Sequence, residues 1–133
     1  LGATYVTDQQ KVFIAYRRTN NNIGYGVVGT VSGTSISFGS PVQFSANRAD
    51  HVRTTYAGSS KVVVVYEDFG NNQKGAAIVG TISGTSVSFG TQSFYSDTFP
   101  AQYNNIAYDP VNDKVLVIYY IRHINIFWKR FRL

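Results

Sequence analysis

The sequence predicts an all-β chain built from a repeated unit of four antiparallel strands. Three observations carry this. The apolar segments are dominated by Val, Ile, Thr, Tyr and Phe, which favour pleated, half-buried surfaces over helices. VGTVSGTSISFG at residues 28–39 returns as VGTISGTSVSFG at 79–90, with ten of twelve positions identical. KVFIAY at 11–16 returns as KVVVVY at 61–66 and as KVLVIY at 114–119. Self-similarity at a fixed spacing of this size marks a stacked architecture in which no unit covers its own apolar faces.

Each strand of the unit has its own signal. Strand A ends at a Tyr just before a turn (about 2–6, 52–57 and 103–108), the turns being VTDQQ, AGSS and DPVND. Asp109-Pro110 suits such a turn because proline presets its φ. Strand B is the apolar run (11–17, 61–67 and 114–121), apolar on both sides, as a strand covered on both faces would be. An Asn-rich loop follows it, TNNNIGYG in the first copy and FGNNQKGAA in the second. Strand C carries Val-Gly-Thr (about 24–31 and 75–82). Strand D covers 34–44 and 85–95, with Ile36 and Phe38 facing one way and Ser35 and Ser37 the other. Ser32-Gly33 and Ser83-Gly84 supply the positive-φ residue of a tight C–D hairpin.

Four antiparallel strands every 50 residues or so describe a β-propeller blade, and four to eight blades close a ring. The chain divides into blade one (1–50), blade two (51–101), the first half of a third (102–121) and a tail (122–133). The fold class is therefore all-β and propeller-like, with two four-stranded blades plus a partial third. Two and a half blades cannot close a ring, so further repeats or self-association are expected to complete it. A three-fold domain such as a β-trefoil has a similar strand count, but the third copy lacks strands C and D. The tail, IRHINIFWKRFRL, is either a modified strand C that docks on a neighbour or an accident of coding. The chain begins at Leu1 without Met, which suits a processed, trimmed or partial sequence.

The segments KVVVVYEDFGNNQKGAAIVGTISG and YDPVNDKVLVIYY, with the doubled VGT-x-SGTS-x-SFG, resemble a tandem repeat of large marine bacterial and phage proteins, tail-fibre-like or adhesin-like. The resemblance covers residues 1–120. It implies propeller blades, an adhesion-like role and an extracellular or virion-associated setting, and it implies no catalytic residue. Trp-Asp pairs, the kelch Gly-Gly and the Asp-box are missing.

Composition narrows the chemistry. Of 133 residues 44% are hydrophobic and 14% charged, which argues against disorder. No Cys occurs, so disulfides and thiolate chemistry are excluded. No apolar run reaches the ~18 residues of a membrane span. The net charge is +5, but Arg122, Lys129, Arg130 and Arg132 fall in the last twelve residues. The other eight Lys and Arg face seven Asp and Glu, so the body is nearly neutral and nucleic acid is not its expected partner.

No set of residues reads as an active site. Glu67 is the one Glu, beside Asp68, and copy one has Arg17-Arg18 at that place. His51 and His123 are isolated, without the spacing of a metal site. Asp109–Asp113 lacks the alternation, glycine and closing Glu of a Ca²⁺ loop. No Gly-x-Ser-x-Gly elbow occurs, and Gly24-Tyr-Gly26 lacks the context of a phosphate cradle. The expectation is a non-enzymatic module without metal or cofactor.

The best binding candidates are the B–C loops, with Arg17, Asn21, Asn22 and Tyr25 in copy one and Glu67, Asp68, Asn71 and Asn72 in copy two. Amides and carboxylates beside Tyr16, Tyr25 and Phe69 suit sugar recognition, so glycans are the expected ligand class. The competing reading is turn chemistry, since Asn tolerates left-handed backbone. A structural subunit without a small ligand is the alternative. A further one is binding of nucleic acid or an anionic surface through Trp128, Lys129, Arg130 and Arg132.

Overall fold

The computed structural model describes residues 1–96, 100–121 and, for the backbone alone, 125–132. It is all-β, 69% strand, with antiparallel pairing throughout. The strands are β1 (Gly2–Val6), β2 (Lys11–Arg17), β3 (Ile23–Ser32), β4 (Ser35–Phe38), β5 (Val42–Tyr56), β6 (Lys61–Asp68), β7 (Lys74–Ser83), β8 (Ser86–Phe89), β9 (Ser93–Phe94), β10 (Gln102–Asp109), β11 (Lys114–Ile121) and β12 (Asn125–Arg132). One turn of 3-10 helix, Phe69–Asn71, follows β6.

Three layers result. The first holds β1, β2, β3 and β4, and the start of β5 joins it through Tyr25↔Gln43 and Gly26↔Val42. The second holds the rest of β5 with β6, β7, β8 and β9. The third holds β10, β11 and β12. We call them sheets 1, 2 and 3, although β5 links the first two into one hydrogen-bonded network. The same pairing recurs: Val12 faces Gly29 in sheet 1, and Val62 faces Gly80 in sheet 2.

Sequence and structure differ at strand D. A continuous strand was expected over 34–44 and 85–95, and each copy breaks in two. In copy one Pro41 has no N–H to donate to a ladder. Copy two breaks at the same place without a proline, so the break belongs to the unit's geometry. In both, a glycine N–H closes the hairpin, Gly39 to the Val28 carbonyl and Gly90 to that of Val79, each at 2.9 Å. The expected hairpin glycines, Gly33 and Gly84, do take positive φ, +58° and +60°. The repeat boundary near residue 50 is not a loop. β5 continues across it, with a shift of register between Asp50 and Arg53.

Strand B also departs from expectation. Coverage on both faces holds for β6, whose Val62–Asp68 run is wholly buried, and not for β2 or β11. β11 alternates, with Val115, Val117, Tyr119 and Ile121 buried while Leu116, Ile118 and Tyr120 are exposed. The cause is position. Sheet 2 has a neighbour on each side, and the outer sheets have one each.

Two cores fill the gaps between layers. Between sheets 1 and 2 lie Phe13, Ala15, Val28 and Phe44 against Val62, Val64, Tyr66, Ile78, Ile82 and Val87. Between sheets 2 and 3 lie Val63, Val65 and Tyr95 against Val115, Val117 and Tyr119. The same aromatic joint is used twice. Phe44 packs on Tyr66 of the next sheet with ring centroids 5.1 Å apart, and Tyr95 packs on Tyr119 at the same distance. Two glycines make room for it, because a Cβ on Gly24 would overlap the Phe44 ring and one on Gly75 the Tyr95 ring. Gly24 N–H donates to Ser45 Oγ at 2.8 Å, and Gly75 N–H to Ser96 Oγ at 2.6 Å.

Candidate functional site

The strands place one set of polar groups together, where the A strands begin and the B strands end. β5 carries a bulge there. Its register on β6 shifts between Asp50 and Arg53, and His51 takes φ +51°. β10 repeats the device, with a shift between Gln102 and Asn105 and Tyr103 at φ +52°. A bulge re-aims side chains that strict alternation would send elsewhere. Here the ring of His51 meets that of Tyr103 at 4.8 Å, and Tyr103 meets Tyr120 at 6.2 Å.

Between sheets 1 and 2 this end opens into a cleft of about 450 Å³, lined by Tyr16, Arg17, Arg48, Asp50, His51 and Val52 among others. Asp50 is its electrostatic centre. Arg17 forms an ion pair with one of its oxygens, and Arg48 with the other at 2.6 Å. Burial pushes the Asp50 carboxyl up, but the Arg48 hydrogen bond and both guanidinium charges outweigh it and hold it below the usual range. Arg48 also lies over the Phe69 ring, 4.2 Å from its centroid.

Behind the cleft wall sits Glu67, 1% exposed. Its Oε2 is 3.6 Å from His51 Nε2, and its Oε1 has no hydrogen-bond partner. Burial and the negative charge of Asp50 push its carboxyl up to about 7, against the Gln102 side chain and the Arg48 charge. Burial moves His51 the other way, below its usual value. Burial thus disfavours the charged form of each, and Glu67 is close to half-protonated at neutral pH. A neutral Glu67 can be a hydrogen-bond donor, and at 1% exposure it offers no surface to a substrate.

The eight B–C loop residues do not form one site. Asn21 Oδ1 accepts from the Ile23 N–H at 3.1 Å, and Asn22 takes φ +62°. Tyr25 packs on Tyr16 at 6.3 Å, with the Arg18 guanidinium 3.8 Å from its ring centroid. In copy two, Asp68 is buried and caps the 3-10 turn. It accepts from Gly70 N–H (3.1 Å), Asn47 Nδ2 (3.2 Å), Asn71 Nδ2 (2.8 Å) and Gln92 Nε2 (2.9 Å). Asn72 takes φ +56°. So the amides of Asn21 and Asn71 serve their own loops, while Arg17 joins the cleft and Glu67 lies behind it.

Trp128, Lys129, Arg130 and Arg132 belong to β12, which pairs with β11 in the register Ile118↔Trp128 and occupies the third strand's place. Their side chains, and His123, lie outside the described residues. The DPVND segment is a turn. Asp109 Oδ1 accepts from the Val111 and Asn112 N–H groups at 3.0 and 3.2 Å. Among the described residues no three His, Asp or Glu gather as a metal site requires. Nor is any described helix long and apolar enough to cross a membrane.

Sequence reasoning misses Arg48, Asp50 and Tyr103, and reads His51 as isolated. The pairing Asp50↔Glu67 brings the group together across seventeen residues. No sequence signal marks the bulge, since the surplus residue on strand A shows only once Asp50 is paired with Glu67. Comparison with known proteins finds no matching family model, no matching curated protein and no matching solved structure.

Proposed function

We propose that this chain is a non-enzymatic repeat module for binding or adhesion, its three sheets stacked as propeller-type blades. The observation that carries the reading is the cleft at the strand ends. It presents a fixed array of donors and acceptors, Arg17, Arg48 and Asp50. Such an array suits the hydroxyls of a sugar, since each arginine holds N–H groups beyond those given to Asp50. Against catalysis stands the burial of Glu67, the one carboxyl here whose proton affinity suits acid–base work near pH 7. The stacked-blade reading draws on the recurring pairing and the twice-used aromatic joint.

Glycan-array screening of the chain tests this, with Arg17→Ala and Asp50→Asn as cleft variants and Asn71→Ala as a loop control. Expected are retained glycans, lost by at least tenfold in both cleft variants and kept in the control. No glycan above background, or binding untouched by both cleft variants, overturns it. A structural subunit is the second reading, favoured by the exposed apolar faces of the outer sheets.

A further inference from the structure

The outer face of sheet 1 repeats, residue for residue, a face that is buried in sheet 2. Val31, Ile36 and Phe38 are 57%, 44% and 53% exposed. At the same positions of the repeat, Ile82 and Val87 are 2% and 5% exposed, and Phe89 packs against the core. Ladder partners share a face, so Val12, Ile14, Tyr16 and Val27 belong to this surface too. Ile14, Tyr16, Val27 and Phe38 line an apolar groove of about 340 Å³.

The opposite end of the stack shows the reverse. Leu116 and Ile118 on β11 are 37% and 41% exposed. Their counterparts Val63 and Val65 on β6 are 4% and 0% exposed, because sheet 3 covers them. In sheet 1 the same positions are Phe13 and Ala15, both fully buried against sheet 2.

Each interface inside the chain therefore joins two kinds of face. One is the Phe13/Ala15 or Val63/Val65 kind. The other is the Val62/Val64/Tyr66 or Val115/Val117/Tyr119 kind. This joint is made twice, between sheets 1 and 2 and between sheets 2 and 3. One face of each kind is left over, at opposite ends: Leu116/Ile118 on sheet 3 and Val12/Ile14/Tyr16 on sheet 1.

We propose that the Leu116/Ile118 face of one chain docks on the Val12/Ile14/Tyr16 face of a second copy, as a third use of the interface already made twice within each chain. The contact is heterologous, since the two surfaces differ, and a heterologous contact closes only as a ring. Three sheets per chain fall short of the four to eight that close a propeller, and two chains give six. The expected assembly is a head-to-tail dimer with both joints made. The number of copies rests on the stacked-blade reading, and the pairing of faces does not.

Light scattering across a concentration series tests it, with an expected mass twice the 14.7 kDa of one chain. Ile14→Asp and Ile118→Asp are each expected to give monomers. Mixing the two variants is expected to restore a dimer, because the pair retains one intact joint. Circular dichroism checks that each variant folds. Should either fail to fold, cross-linking replaces the mixing arm. The chain has no Cys, so Ile14→Cys and Ile118→Cys chains joined by a short bis-maleimide are expected to link to each other and not to themselves.

A dimer unaffected by Ile14→Asp, failure of folded variants to complement, or cross-linking of Ile118→Cys to itself overturns the proposal. So does a stable monomer that binds an apolar dye, which would assign the faces to another occupant. A monomer that still retains glycans leaves the binding reading standing while the docking fails.

Discussion

Two copies of one hairpin, residues 28–39 and 79–90, have nearly the same sequence and opposite surroundings. In sheet 2 the hairpin's apolar residues are covered by sheet 1. In sheet 1 the corresponding residues face outward. Local structure is the same in both, down to the glycine N–H that closes each hairpin. The fold of the unit is therefore written locally, and its burial is decided by its place in the stack. An apolar strand pattern tells which face wants a neighbour, not whether the chain supplies one.

That comparison is broken or sharpened by substitution. The largest expected contrast is Ile82→Ala against Val31→Ala. The first removes a buried side chain from a filled core and is expected to cost about 2–5 kcal/mol. The second, at dilutions where the chain is single, should stay within about 0.5 kcal/mol. Urea unfolding of both measures it. Equal losses in dilute protein would mean that the two hairpins are not in different environments.

Next in size is the position after the tyrosine of strand B, Arg17 in sheet 1 and Glu67 in sheet 2. Glu67 holds its proton more tightly folded than unfolded. Its contribution to stability is full below about pH 4.5 and is lost as pH rises through about 7. Glu67→Gln removes that dependence. Relative to the parent, the variant should gain stability between pH 4.5 and 8, by at most about 3 kcal/mol. His51, its pKa lowered, contributes in the opposite direction, with stability present above its unfolded pKa and lost on acidification. It is common to both proteins and cancels to first order. A constant difference across pH would show that Glu67 titrates normally.

A smaller effect is expected at the following residue. Asp68→Ala strips an acceptor from four donors and should cost about 2 kcal/mol. Arg18→Ala at the matching place removes a guanidinium from the Tyr25 ring and should cost under about 1 kcal/mol. Thermal unfolding of the pair decides it. The smallest effect is also the control. Gly33 and Gly84 both have positive φ and open space around them. Gly33→Ala and Gly84→Ala should each cost about 1 kcal/mol, because local backbone strain does not depend on place in the stack.

Much of this was legible in the residues. The bounds of the A, B and C strands outside β5, the Ser-Gly hairpins and the left-handed Asn22 and Asn72 follow from pattern and turn chemistry, which act over a few residues. The broken strand D was not legible, since a ladder shift needs knowledge of both strands. The cleft was legible only in part. Arg17 was named for its loop, and its partner Asp50 lies thirty-three residues away. His51 meets Glu67 through a one-residue bulge, a feature that periodicity reads as noise. Asp68, a ligand contact by its sequence, acts as a hub for its own loop, because its donors come from its own turn (Gly70 and Asn71) and from two distant segments (Asn47 and Gln92).

β5 has a mechanical consequence. One strand is laced into two sheets, with its first residues in the ladder of β3 and its last in that of β6. Tension along the chain at this point is shared by two ladders in shear. Sheets 1 and 2 therefore yield together, while sheet 3, which shares no strand with them, can peel away first. Under load, the joint expected to open first is the one between sheets 2 and 3, which is held by side-chain packing and bridged by no shared strand.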